Sequence, residues 1–65
     1  MMNIKLTKNA NDTRILRGIS IAEIEDNLTT GIKALDKLGI SSSKDKLSII
    51  FSKKESFVIK RLILK

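Results

Sequence analysis

The sequence predicts an α+β fold in which two helices cover one face of a small antiparallel sheet, in the order strand, helix, helix, strand, strand. Three observations lead to this prediction. Apolar residues alternate with polar ones near both ends of the chain, they recur every three or four residues in between, and residues that cap helices stand where the pattern changes. The length of 65 residues corresponds to a single domain, residues 1–65.

The first strand and a short helix are predicted in the first 18 residues. Residues 2–8 alternate in polarity, which places three apolar side chains on one face: Met2, Ile4 and Leu6. A helix of about two turns then runs through Thr13 to Arg17. Three polar residues that commonly cap helices precede it: Asn9, Asn11 and Asp12. Gly18 can adopt the left-handed conformation that ends a helix.

A longer helix is predicted after Ser20, which forms a capping box with Glu23. Apolar residues follow at helical spacing: Ile21, Ile24, Leu28, Ile32, Leu35 and Leu38. Gly39 is the candidate residue after its C-terminus. Residues 29–31, two threonines and a glycine, are poor helix formers. The alternative is therefore a helix that stops near Thr30 and leaves residues 32–38 as a separate strand or turn.

The C-terminal third of the chain is predicted to form a hairpin. Residues 40–45 form a serine-rich linker, and two β-rich runs follow, Leu47–Ser52 and Ser56–Leu64, separated by a short polar turn. Strict alternation places Phe57, Ile59, Arg61 and Ile63 on one face of the last strand, and Val58, Lys60, Leu62 and Leu64 on the other. A strand that is apolar on both faces is typical of a central strand or of a contact with a partner chain.

Composition excludes several kinds of chemistry. The chain contains no cysteine and no histidine, which removes disulfides, thiolate nucleophiles, the usual zinc sites and histidine general bases, and no metal or cofactor is expected. Its only aromatic residues are Phe51 and Phe57, too few for a platform on which bases stack. The longest apolar runs are far too short for a membrane helix, and we expect a soluble, cytoplasmic protein that does not engage membranes.

Charge is distributed unevenly along the chain, which has a formal net charge of +6. Residues 21–36 contain four acids and one base, and the basic residues lie in the first strand, the short helix and the hairpin. If the long helix turns its acidic side outward, the cations are left to form a positive patch that binds a polyanion. A merely soluble surface and an acidic protein partner are the alternatives that charge alone leaves open.

Residues 6–25 carry a motif-like stretch. Arg17, Gly18, Ile19 and Ser20 follow Ala10 at a fixed spacing and precede an acidic amphipathic helix. Over residues 4–28 the chain resembles a family of small domains with a His-Ala-x-x-Arg and Arg-Gly-Ile-Ser pattern, similar to RelE-like and BrnT-like ribonuclease toxins. Asn9 stands where that family has histidine, and Thr13 where it has the first arginine.

The resemblance implies one strand, two helices, a curved sheet and an RNA or ribosomal target. The retained positions also have structural explanations, with Gly18 as a helix terminator, Ile19 in the core and Ser20 as a cap. The catalytic residues are unknown, and the loss of the motif histidine predicts weak or absent cleavage. The candidates for nucleic-acid binding are Arg14, Arg17, Lys60 and Arg61.

Two functions remain open from the sequence. The first is a basic RNA- or ribosome-binding protein that resembles RelE-like toxins, as in toxin–antitoxin systems. The second is a small interaction or inhibitor protein, of the kind that phages and mobile elements encode, which pairs with a partner protein or with itself as a homodimer. Whether the chain is an enzyme is undecided at this level.

Overall fold

Two helices lie against one face of a five-stranded sheet in the computed structural model, which describes residues 3–37 and 39–65 and, at Asp36, the backbone alone. The elements are β1 (Ile4–Leu6), α1 (Lys8–Arg17), α2 (Ile21–Thr30), β2 (Ile32–Asp36), β3 (Gly39–Lys44), β4 (Leu47–Lys53) and β5 (Phe57–Leu64). The strand order is β1-β5-β4-β3-β2. The predicted α+β sandwich is confirmed, but its sheet has more strands than expected and is mixed, because β1 pairs with β5 in parallel.

Helix α1 starts earlier than the sequence indicated. Its N-cap is Thr7, whose side chain accepts a hydrogen bond from the backbone N–H of Ala10, so none of the three predicted caps is used. Gly18 ends α1 in the left-handed conformation, with φ of 69°, as predicted. Strand β1 is correspondingly shorter than predicted, and Met2 lies outside the described residues.

Helix α2 ends at Thr30, and the predicted continuation of its apolar stripe to residue 38 is wrong. The hydroxyl groups of Thr29 and Thr30 donate hydrogen bonds to the carbonyls of Glu25 and Asp26, at 2.8 and 2.9 Å. Gly31 follows in an extended conformation, and residues 32–36 form β2. The alternative of a strand after Thr30 is therefore correct, while Leu38 lies outside the described residues. The Ser20–Glu23 capping box at the start of α2 is confirmed.

The predicted linker is strand β3. Ser42, in the middle of the serine run, is fully buried, and its hydroxyl donates a hydrogen bond of 2.8 Å to the carbonyl of Asn27 in α2. Because a buried serine must find such a partner, α2 and β3 are locked in one relative position. Gly39 begins β3 with φ of 129°, rather than following the end of a helix.

The hairpin of β4 and β5 is confirmed, but it contains a β-bulge that the assumption of strict alternation along the last strand did not predict. Phe51 pairs with Ile59, whereas Ile50 pairs with Arg61, so Lys60 is an extra residue in β5. The bulge reverses the facing of every later residue in the strand. Leu62 is thus 5% exposed and belongs to the core, and the predicted two-sided apolar strand is explained without a partner.

The core lies between the helices and the inner face of the sheet. Its buried members are Ala10, Ile19, Ile24, Leu28, Leu47, Ile49, Phe51, Ile59 and Leu62. Helix α1 contributes little to it, and the side chains of Ile15 and Leu16 are 64% and 83% exposed. Of the helices described, none is long and apolar enough to cross a membrane.

Candidate nucleic-acid interface

The cations are distributed over several parts of the surface and do not form the single patch expected from the sequence. Lys8, Arg14 and Arg17 belong to α1, and Lys5, Lys60 and Arg61 belong to β1 and β5. Most of the remaining lysines lie near the two ends of the strands. A candidate interface must therefore be a region where several of these cations lie close together.

The four predicted binding residues fall into two pairs on different layers of the molecule. Arg14 and Arg17 lie in the helical layer, and Lys60 and Arg61 lie in the sheet. Arg14 is half-buried and donates hydrogen bonds to Asn11 Oδ1 and to the carbonyl of Ile19, at 3.3 and 3.4 Å. These contacts tie α1 to the turn before α2, which gives Arg14 a structural role.

The bulge places Lys60 and Arg61 together. Both residues lie between Ile59 and Leu62, which each point into the core, and both stand opposite Ile50. The two cations therefore share the sheet face that points away from the helices, which we call the open face. The sequence-based expectation that they point to opposite faces is wrong, because it assumed strict alternation.

Thr7 holds the bulged backbone in place. Its hydroxyl donates to the carbonyl of Ile59 at 3.0 Å, with a longer contact of 3.3 Å to that of Lys60. Its backbone N–H also donates to the carbonyl of Ile59, at 3.1 Å. The same hydroxyl oxygen caps α1, so one side chain joins the start of the helix to the bulge. The position of the two cations thus depends on the β1–α1 connection.

Lys60 lies across the sheet. Its Nζ atom is 3.8 Å from the place that a Cβ atom of Gly39 would occupy, although the two residues belong to β5 and β3. The lysine side chain consequently crosses β4, beside Ile50. Ile50 is only 5% exposed, yet it is not part of the core cluster. The aliphatic stem of a long cationic side chain that crosses β4 can cover Ile50 while the charged end stays in solvent.

The rest of the open face is small, polar or aliphatic. Register places these described residues on it: Lys5 of β1, Ile32 and Ala34 of β2, Ser41 and Ser43 of β3, Ser48, Ile50 and Ser52 of β4, and Val58, Lys60, Arg61 and Ile63 of β5. Among the side chains that the structure describes, this face holds three cations: Lys5, Lys60 and Arg61.

Lys5 is the member of this set that sequence reasoning missed. It pairs in register with Val58, so it lies beside the bulge, on the neighbouring strand. The parallel pairing of β1 with β5 joins residues at opposite ends of the chain, and no local pattern encodes it. A local signal did exist for the bulge, because the inward-facing residues of β5 are spaced two, three and two apart: Phe57, Ile59, Leu62 and Leu64.

Acidic residues are concentrated on the other side of the molecule. Helix α2 carries Glu23, Glu25 and Asp26 and no base. Asp26 forms an ion pair with Lys44 of β3. A shallow cavity of about 320 Å³ lies between α2 and the β3–β4 turn, and its lining mixes three acids with two lysines. The described residues contain no group of three or more acidic side chains arranged to hold a metal ion.

Both aromatic rings lie on the helical side of the sheet. Phe51 is 3% exposed, and its ring centroid is 5.6 Å from that of Phe57. Phe57 is half-buried and packs against the core, with Lys53 Nζ 5.3 Å from its ring centroid. The open face therefore offers positive charge and hydroxyl groups but no ring for a base to stack on.

Comparisons of this chain with protein-family models, with curated proteins and with solved structures found no match.

Proposed function

We propose that this protein binds RNA, free or within the ribosome, through the open face of its sheet. The observation that carries the proposal is the bulge, which sets Lys60 and Arg61 side by side on the open face. Arginine and lysine contacts to phosphates supply most of the affinity of non-specific nucleic-acid binding. The proposal agrees with the RNA target that the resemblance of residues 4–28 implies.

The neighbouring side chains support the same function. Lys5 adds a third cation, roughly 8 Å from Arg61 by strand spacing and rise. The Oγ atoms of Ser43 and Ser48 are 3.1 Å apart, so one hydroxyl donates to the other, and the accepting hydroxyl keeps its own proton for a hydrogen bond to a phosphate oxygen. Binding is therefore the function that these side chains support.

The Lys60→Gln/Arg61→Gln double variant tests the proposal. We expect weaker binding to purified ribosomal RNA and a salt dependence that is shallower by about one unit of log Kobs per log salt for each lost contact. Filter binding between 50 and 200 mM salt measures both quantities. Glutamine keeps most of each aliphatic stem, so the far-UV circular dichroism spectrum should not change.

The control is a Lys8→Gln/Lys54→Gln variant, which removes the same two charges from exposed positions outside the open face. We expect this control to retain the salt slope of the unmodified chain. An equal loss in the two double variants would mean that only net charge matters, and the open face would then not be the interface.

A second function is favoured by the sheet edge at β2. Of the described strands only β3 pairs with β2, and the side chains of Ile32 and Leu35 are 78% and 88% exposed, on opposite faces. Natural proteins usually protect such an edge with charges, prolines or bulges, and β2 has a single lysine, Lys33, in this role. An extended strand from a second copy of the chain could pair there.

Leu35→Lys tests edge pairing. If copies pair through β2, light scattering of the unmodified chain should show a dimer whose fraction rises with salt, because salt screens the repulsion between chains of charge +6. The Leu35→Lys variant should then remain monomeric at all salt concentrations. Leu16→Lys is the matched control, since Leu16 is similarly exposed but lies on α1. A chain that is monomeric throughout would rule out self-pairing.

A further inference from the structure

We infer that the open face recognises the sugar–phosphate backbone of a double helix in preference to the bases of a single strand. The inference rests on the proposed function and names the class of RNA that the same surface takes. It depends on the cations and serines that lie on this face and on the aromatic rings, which lie on the opposite side of the sheet.

Single-strand binders combine cations with exposed aromatic rings, on which successive bases stack. The only two aromatic residues of this chain are on the opposite side of the sheet, where Phe51 is buried and Phe57 packs against the core. A single strand bound to the open face would gain phosphate contacts without stacking. Its flexible backbone would also have to become ordered, with no base contact to offset that loss of entropy.

A double helix suits this face better. Its bases are already stacked and paired, and it presents phosphates and sugars at its surface, with twice the charge density of one strand. Lys5, Lys60 and Arg61 are spread across β1, β5 and the surface of β4, so they can reach phosphates on more than one part of a rigid backbone. The flanking serines add short donors that need not enter a groove.

Fluorescence anisotropy with a 16-base-pair RNA duplex, its separate strands and a DNA duplex of the same sequence tests the inference. With three cationic contacts, the slope of log Kobs against log salt should be about −2.7 for duplex and about −2.1 for single strand. With equal affinity for the two probes at 1 M salt as the reference, these slopes predict that the RNA duplex binds roughly sixfold tighter than the single strand at 50 mM salt. Equal or tighter binding of the single strands would overturn the inference and leave RNA binding itself intact.

The other outcomes separate the inference from the proposed function. A chain that binds none of the three probes contradicts both. Tighter binding of the DNA duplex than of the RNA duplex supports recognition of a double-helical backbone and contradicts RNA as the natural target, since contacts with the 2′-hydroxyl are what favour RNA.

A gain-of-function variant provides the sharpest control. Ile63 is 39% exposed on the open face, and tyrosine suits a strand well. Ile63→Tyr supplies a ring where the open face has none, and we expect it to raise affinity for the single strand roughly tenfold and to reduce the preference for the duplex. If Ile63→Tyr leaves single-strand affinity unchanged, stacking is not what limits that binding, and the inference fails.

Discussion

Replacing Gly31 with alanine is expected to remove a large part of the protein's stability. A Cβ atom at this position would lie 2.4 Å from the backbone carbonyl oxygen of Asn27 and 2.7 Å from both Asn27 Oδ1 and Ser42 Oγ. The nearest of these atoms belongs to helical backbone and cannot rotate away. Overpacking of this kind costs typically 1 to 3 kcal/mol, and a domain of this size has only about 3 to 5 kcal/mol in total.

The reason for glycine at this position is space and not backbone conformation. Gly31 has φ of −71° and ψ of 164°, values that any residue adopts. Gly18 provides the control, because it has φ of 69° and nothing within 4 Å of its Cβ position. Gly18→Asn should be nearly neutral, since asparagine tolerates the left-handed conformation. Urea unfolding followed by far-UV circular dichroism measures both, as the chain has no tryptophan or tyrosine. Unchanged stability of Gly31→Ala would contradict the close packing of α2 on β3.

The second large loss of stability is expected for Leu62→Ala. The same substitution at the neighbouring residue Ile63 should be nearly neutral. Leu62 is 5% exposed in the core, whereas Ile63 is 39% exposed on the open face. Leu62→Ala should cost about 2 to 5 kcal/mol, enough to remove most of the stability of the chain. Ile63→Ala should cost less than about 1 kcal/mol, because exposed substitutions away from special features have small effects.

The comparison of these two neighbours is a direct test of the bulge at Lys60. Without the bulge, strict alternation would put Ile63 in the core with Ile59 and turn Leu62 outward. The ranking of the two urea midpoints would then be reversed. The same reversal would separate Lys60 from Arg61 and remove the basis of the proposed interface.

Local signals were sufficient for much of the fold. The left-handed turn at Gly18 and the capping box of Ser20 with Glu23 were predicted from residues three or fewer positions apart. The hairpin of β4 and β5 was predicted from two apolar runs and a short polar turn. In each case the interactions that fix the element lie within one short segment of the sequence.

Prediction failed where a distant partner decides the structure. Ser42 occurs in a run of three serines that is typical of a linker, and only the carbonyl of Asn27 in α2 makes its burial in a strand favourable. Thr7 caps α1 in preference to three other candidates because its hydroxyl also reaches the carbonyl of Ile59, 52 residues away. Ile32 and Leu35 continue the helical spacing of the preceding apolar residues, but the segment is a strand because β3 pairs with it.

The sequence by itself determined the class of fold, the absence of cysteine and histidine chemistry, and the segregation of acids onto α2, since composition and short-range spacing express each of these. The tertiary structure alone decided which cations share a surface. Placement of Lys5 beside the bulge requires β1 and β5, from opposite ends of the chain, to pair in parallel. Lys60 and Arg61 lie on the same face because β5 contains one extra residue, and only the pairing of β5 with β4 creates that bulge. Both are hydrogen-bonding relations between strands, and no single segment contains them.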